Sequence, residues 1–204
     1  MKKQKNDIIP LVGIITDLHI KNNNHDQLRS VVQQFVEDLK QRYITTAIFG
    51  GDLFTDRSVQ SMENLLLAKE LLHSVIKEGI KCYVLIGNHD KQSLDNFESY
   101  LDIYDIYDKN QLHIVKEFEV CLFPNYINIY MLSYFRENKT YGKKLQGVSS
   151  LAAKKIGYKN VLVTHVAVNG VRNNDGTIVD NGIQVKAFNN FDKVLVGHYH
   201  DRSF

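Results

Sequence analysis

A chain of 204 residues, 44% hydrophobic and 24% charged, has the apolar content to bury the core of one domain, which excludes a disordered or fibrous class. The net charge of +2 neither demands nor excludes nucleic acid. Lysines at 2, 3 and 5, in the 139–144 stretch and at 154–155 form clusters that suit either a local phosphate surface or plain solvation. The two cysteines, Cys82 and Cys121, both fall in apolar runs. They read as small buried hydrophobes in a reducing compartment, without the spacing of a disulfide framework or a thiolate metal site. The apolar stretch 8–16 is cut short by Asp17 and is too brief to cross a bilayer. A soluble, cytoplasmic protein with no membrane association is expected, organised as a single domain over 1–204.

The first predicted strand, 11–16, ends in Asp17-Leu18-His19. After an Asn22-Asn23-Asn24 turn, Leu28, Val31, Val32, Phe35, Val36 and Leu39 recur at helical spacing. A second strand, 46–49, closes in Gly50-Gly51-Asp52. It is followed by an amphipathic helix over 59–78 with Leu65, Leu66, Ala68, Leu72, Val75 and Ile76 inward. The third strand, 81–86, completes a βαβαβ pattern, which predicts a parallel sheet with right-handed crossovers. Residues 94–107 are expected to be helical. The strand-like runs 112–115, 119–123 and 127–133 then follow without helices, which predicts an antiparallel second sheet or hairpin. A helix over 143–156, a buried strand over 160–164 closed by His165, a long Asn/Asp/Gly-rich loop over 169–182 and a strand over 193–196 closed by Gly197-His198-Tyr199-His200 complete the chain.

The stretch Gly87-Asn88-His89-Asp90 carries the first chemical signal. A buried strand ending at a glycine delivers Asn88, whose amide oxygen suits a hard metal, His89, which could transfer a proton, and Asp90, which could orient it. Alone, Gly-Asn is ordinary turn chemistry. The signal gains force because other strands end in the same way, at Asp17 and His19, at Asp52, at His165, and at His198 and His200. Carboxylates, imidazoles and one amide, with no thiolate, describe a site for Mn, Fe, Zn or Mg. The i, i+2 spacing of Asp17/His19 and of His198/His200 points each pair to one side of an extended backbone. Glycines at 51, 87 and 197 permit the tight turns. These are more ligands than one such ion takes from protein. Two ions about 3.5–4 Å apart, sharing a carboxylate and activating a bridging water to hydroxide, would accommodate them and suit phosphoester hydrolysis. His25, His73 and His113 lie outside this pattern and read as structural.

Asp17-x-His19, Gly51-Asp52, Gly87-Asn88-His89-Asp90, His165 and Gly197-His198-x-His200 resemble the full motif set of the calcineurin-like metallophosphoesterases, in the family's order and across nearly the whole chain. The resemblance implies an α/β fold, an αββα sandwich of two mixed sheets flanked by helices, with a dinuclear metal site at the strand C-terminal ends. It implies Asp17, His19, Asp52 and His200 on one metal and Asp52, Asn88, His165 and His198 on the other, with Asp52 bridging. His89 would protonate the leaving oxygen or stabilise the transition state, with Asp90 fixing its ring.

Within the family, residues 50–57, 131–137, 164–170 and 191–198 resemble the SbcD-type DNA exonuclease subunit and its phage relatives. That resemblance implies a DNA phosphodiesterase using two divalent ions, commonly manganese, and paired with an SMC-like ATPase subunit. Arg57 could contact a backbone phosphate, and Tyr134 with Arg136 could form a stacking and phosphate surface for an unpaired end. Core packing is the competing reading for the aromatics. The chain stops four residues after His200. The family's capping and partner-docking segments are therefore expected to be absent from it: either the gene is split, the chain is a fragment, or it is a minimal version that works alone or as a homo-oligomer. The alternatives to a nuclease are an enzyme for a nucleotide or other small phosphoester and, from another class, a non-catalytic metal-binding scaffold.

Overall fold

Strands β1 (Gly13–Ile15), β2 (Thr46–Phe49) and β3 (Lys81–Leu85) pair side by side and parallel, connected through helices α1 (His25–Gln41) and α2 (Met62–Ile76), as the alternating pattern predicts. These coordinates are a computed structural model, which describes residues 12–94, 96–123, 126–136, 140–155, 157–172 and 176–199. Leu11 and His200 lie outside the described residues, as do the lysines at 2, 3, 5 and 139. Helix α1 buries Leu28, Val32, Val36 and Leu39 on one stripe, at a gain of about 1.5–3 kcal/mol for each large aliphatic side chain. Helix α2 starts at Ser61, whose hydroxyl accepts the Asn64 N–H, and buries Leu67, Ala68, Leu71, Leu72, Val75 and Ile76. The expected inward position of Leu66 is wrong, since its side chain is exposed and Leu67 packs in its place. Three consecutive leucines leave the helix phase undefined, and only the tertiary contacts select it.

Strand β4 (Leu112–Val115) corrects a second expectation. It joins the first sheet, parallel to β3, and takes no part in an antiparallel second sheet. Leu112 and Ile114 enter the core beneath the helices, while Val115 faces the other sheet. A strand buried on both faces is what a parallel sheet requires. The first sheet, in the order β1-β2-β3-β4, is thus parallel throughout its described strands, and only the second is mixed. There β5 (Phe118–Phe123) and β6 (Ile127–Leu132) form an antiparallel pair, and β7 (Lys159–His165) and β8 (Lys193–Gly197) add parallel to β6. Helix α3 (Gly142–Ala153) buries Leu145, Val148 and Ala152 against this sheet. A third apolar layer, including Ile48, Leu85, Ile129, Met131 and Val163, lies between the sheets. Helices, sheet, sheet and helix stack as an αββα sandwich.

Among the described residues of the helix expected over 94–107, only a short 3-10 helix at Tyr100–Tyr104 forms. Tertiary bonds determine this path. The Asp90 carbonyl accepts the Tyr100 N–H and the Ser99 hydroxyl, and the Tyr104 hydroxyl donates to the Leu65 carbonyl. Among the described residues, no helix is long and apolar enough to cross a membrane.

Candidate metal centre

Every described candidate ligand lies at or just past the carboxyl end of a strand: Asp17 and His19 after β1, Asp52 after β2, Asn88 after β3, His165 closing β7 and His198 after β8. The loops after β1 and β2 continue to pair beyond the strands, with Asp17 N–H on the Gly51 carbonyl (3.1 Å) and His19 N–H on the Asp52 carbonyl (3.1 Å). Asp17, His19, Asp52 and His198 all adopt positive φ, at 56°, 49°, 52° and 91°. Such a conformation costs a non-glycine residue on the order of 1–3 kcal/mol and persists only where surrounding structure enforces it. Strain is therefore stored in the three turns, after β1, β2 and β8, that aim these side chains together.

Gly51 has φ 99°, and a Cβ there would sit 2.7 Å from His165 Nδ1. Gly87 is needed for close approach, since its Cβ would lie 2.1 Å from Asp52 Oδ1. These two glycines let Asp52, His165 and the β3 turn converge.

Two clusters result, Asp17/His19/Asp52 and Asp52/His165/His198. Within each, one ligand atom per residue lies within 4.8 Å of the others, and Asp52 is common to both. Asp52 Oδ2 is 3.2 Å from His165 Nε2 and 3.8 Å from His19 Nε2, and Asp52 Oδ1 accepts the His89 N–H at 2.8 Å. Asn88 Oδ1 approaches His165 Nε2 at 3.1 Å and His198 Nδ1 at 2.9 Å. The Asp17 carboxylate accepts the His198 N–H and the Thr16 hydroxyl. His165 Nδ1 faces the Gly50 carbonyl at 3.0 Å, so that nitrogen must carry the proton, which leaves Nε2 toward the cluster.

Burial of Asp52 pushes its carboxyl up, but the His165 ring and the His89 N–H reverse this and hold it below the usual carboxylate range. Burial of His165 pushes its pKa down, and the Asp52 carboxylate more than reverses that. Each group thus favours the charged form of the other, and Asp52 presents an ionised carboxylate to the cluster. Carboxylate, imidazole and amide donors with no thiolate match a divalent ion.

Asp90 corrects an expectation. Its carboxylate accepts the Phe54 N–H (3.1 Å) and the Gly87 N–H (2.8 Å), and so ties together the loops carrying Asp52 and Asn88 without fixing the His89 ring. Burial and the nearby Asp52 charge raise its pKa to about 7. The His89 ring is oriented by Thr55, whose carbonyl accepts from Nδ1 at 2.5 Å. The other side of His89 sits edge-on to His19, with ring centroids 5.2 Å apart.

The centre opens into a cleft of about 510 Å³ lined by Asp17, His19, Lys21, Asn24, Asp52, Thr55, His89 and His198. Two of the expected substrate residues are turned elsewhere. Arg57 Nε is directed to the Lys91 carbonyl at 3.5 Å, and Tyr134, only 4% exposed, packs edge-on to His165 as part of the core. Arg136 is half-buried, and its carbonyl accepts the N–H groups of Thr140 and Tyr141. Lys21, Asn24 and Thr55 were not anticipated. They follow predicted ligands by two to five residues, and that proximity in sequence was the one signal for them. His25 bonds Asn64 and His113 lies near Glu119, both away from the cleft.

A family model described as calcineurin-like phosphoesterase matches residues 10–202. No curated protein gives a significant match. Seventy solved chains match, among them a novel archaeal phosphodiesterase that is 17% identical, with 85% of this chain and 81% of that chain covered and a TM-score of 0.39.

Proposed function

Because the chain belongs to the calcineurin-like phosphoesterase family, a family that uses divalent metals, we propose that it is a dinuclear phosphodiesterase whose substrate is DNA. The observation that carries the dinuclear reading is Asp52, shared by two ligand clusters at the base of one open cleft. In this reading Asp17, His19 and Asp52 hold one ion, joined by His200, which lies outside the described residues. Asp52, Asn88, His165 and His198 hold the other. Divalent ions there would neutralise phosphate charge and lower the pKa of water, and manganese is the ion proposed.

The chain's own residues do the rest. His89 lines the cleft with its Nδ1 proton committed to the Thr55 carbonyl, so Nε2 is the atom available to protonate a leaving oxygen. The Asp52 carboxylate accepts the His89 N–H, which keeps that ring beside the metal ligands. Asp90 acts on positioning, by holding the Gly87 and Phe54 amides. The cleft is open, and an end of a polymer can enter it. A second reading, a small phosphodiester substrate, is favoured by one observation: among the described residues Lys21 is the sole lysine or arginine lining the cleft.

The test is hydrolysis of linear duplex DNA and of bis-p-nitrophenyl phosphate by metal-stripped protein with added Mn. Degradation of both, with His89→Ala slower by about 10²–10⁴-fold yet still binding metal, is the expected result. Cleavage of the small ester alone overturns the DNA assignment, and unchanged turnover in His89→Ala overturns the role of His89.

A further inference from the structure

A second depression, of about 610 Å³, adjoins the metal cleft. It is lined by Ile20, Asn22, Asn23, Asp56, Val59, Ser61 and Asn64, and it shares Lys21 and Thr55 with the metal cleft. We propose that this depression is a second substrate subsite and that Lys21, at the junction, receives a second phosphate of the substrate, one nucleotide away from the scissile one. The inference rests on the phosphodiesterase reading and narrows its substrate to a nucleotide chain.

Three observations support it. First, among the described residues Lys21 is the only lysine or arginine lining either depression, so an anion lying across both meets a permanent positive charge at that point. Second, its position follows from covalent geometry. It lies two positions after His19, so the two Cα atoms lie no more than about 7 Å apart, and the lysine stem can reach from there into either depression. Third, its backbone is fixed while its side chain is exposed. Ile20 is fully buried, donates to the Leu53 carbonyl and accepts the Thr55 N–H. The Lys21 N–H donates to Asn24 Oδ1, and the Lys21 carbonyl accepts the Asn24 N–H. Asn24 precedes α1 but makes no side-chain cap to that helix. Its amide instead holds Lys21 and the His19 carbonyl. A helix cap has been given up to shape this loop, which presents the ammonium from a rigid base. The rest of the lining, with the amides of Asn22, Asn23 and Asn64, the Ser61 hydroxyl and the exposed Val59, is mostly neutral and suits a sugar and base better than another metal-bound group.

The experiment uses the Mn-loaded full chain and thymidylyl-thymidine, either plain or carrying a terminal 5′ or 3′ phosphate. Wild type is expected to show kcat/KM about three- to tenfold higher on one of the phosphorylated forms than on the plain dinucleotide. In Lys21→Gln that ratio should collapse to about one, and Lys21→Arg should restore it. Equal rates on all three substrates in wild type, or a preference that survives in Lys21→Gln, overturn the subsite. If neither the plain dinucleotide nor bis-p-nitrophenyl phosphate is cleaved, the phosphodiesterase reading itself fails, which separates the two outcomes.

Discussion

On the inner side of the site, His165 and Asp52 are the most buried of the described ligands, 0% and 2% exposed, although Asp52 also lines the cleft, whereas on the outer side the His19 side chain at the cleft mouth is 17% exposed. The inner side is also part of the packing. The His165 ring touches the Gly50 carbonyl, Asp52 and Tyr134, so it joins the turn after β2 in the first sheet to β6 and β7 in the second. The outer side is held by hydrogen bonds on the loop after β1, from Asn24 and Thr55 to the His19 carbonyl and from the Asp17 and His19 N–H groups to the loop after β2. One half of the centre is therefore built into the core between the sheets, and the other sits on the loop after β1 at the mouth of the cleft. The inner half should bind its ion more tightly and should be costlier to alter.

Asp52→Ala tests the part common to both halves and should have the largest effect. Both ions should be lost and turnover should fall to that of metal-stripped protein, as read by metal content and by hydrolysis of bis-p-nitrophenyl phosphate. Gly87→Ala comes next. Its methyl would meet Asp52 Oδ1 at 2.1 Å, so Asp52 must move, with stability lowered by about 1–3 kcal/mol or more and metal affinity reduced. Denaturant midpoints and metal titration would record both effects.

A direct comparison of the halves is His165→Ala against His19→Ala. The first leaves the Gly50 carbonyl without its buried donor, at a cost of about 1–3 kcal/mol, and should lower the melting temperature. The second should leave folding nearly intact and release one ion. Equal melting temperatures would break the inner and outer distinction.

The smallest effect concerns Lys91, buried beneath the site with its Nζ on the Tyr134 carbonyl at 2.9 Å and over the Phe135 ring. Burial lowers its pKa from 10.5 to about 8. Between those values the unfolded chain binds more protons than the folded one, so stability from this group rises as pH rises from about 8 to 10.5. Lys91→Met should flatten that rise in denaturant midpoints measured across this range.

What was legible in the sequence differs between the fold and the site in an instructive way. Strand ends that turn at Asp17, Asp52, Asn88 and His165 were readable because metal donors after apolar runs are rare enough to register together. Their pairing in space required five strands to align, and the motif order predicted that alignment. The partners of His89 and Asp90 were not readable. Adjacent residues on a tight turn point apart, so Asp90 reaches two backbone amides while Thr55, distant in sequence, holds the histidine. Tyr134 was ambiguous for a related reason, since an aromatic beside a strand end serves the core and a binding surface with the same letter. The place of β4 depended on which of its faces would be covered, and alternation in four residues does not encode that.

The most direct test of the central claim is a crystal soaked in Mn and measured at the manganese absorption edge. Two anomalous peaks about 3.5–4 Å apart are expected, both touching the Asp52 carboxylate, with the peak beside His165 the stronger at limiting Mn. A single peak, or two peaks that do not share Asp52, would contradict it.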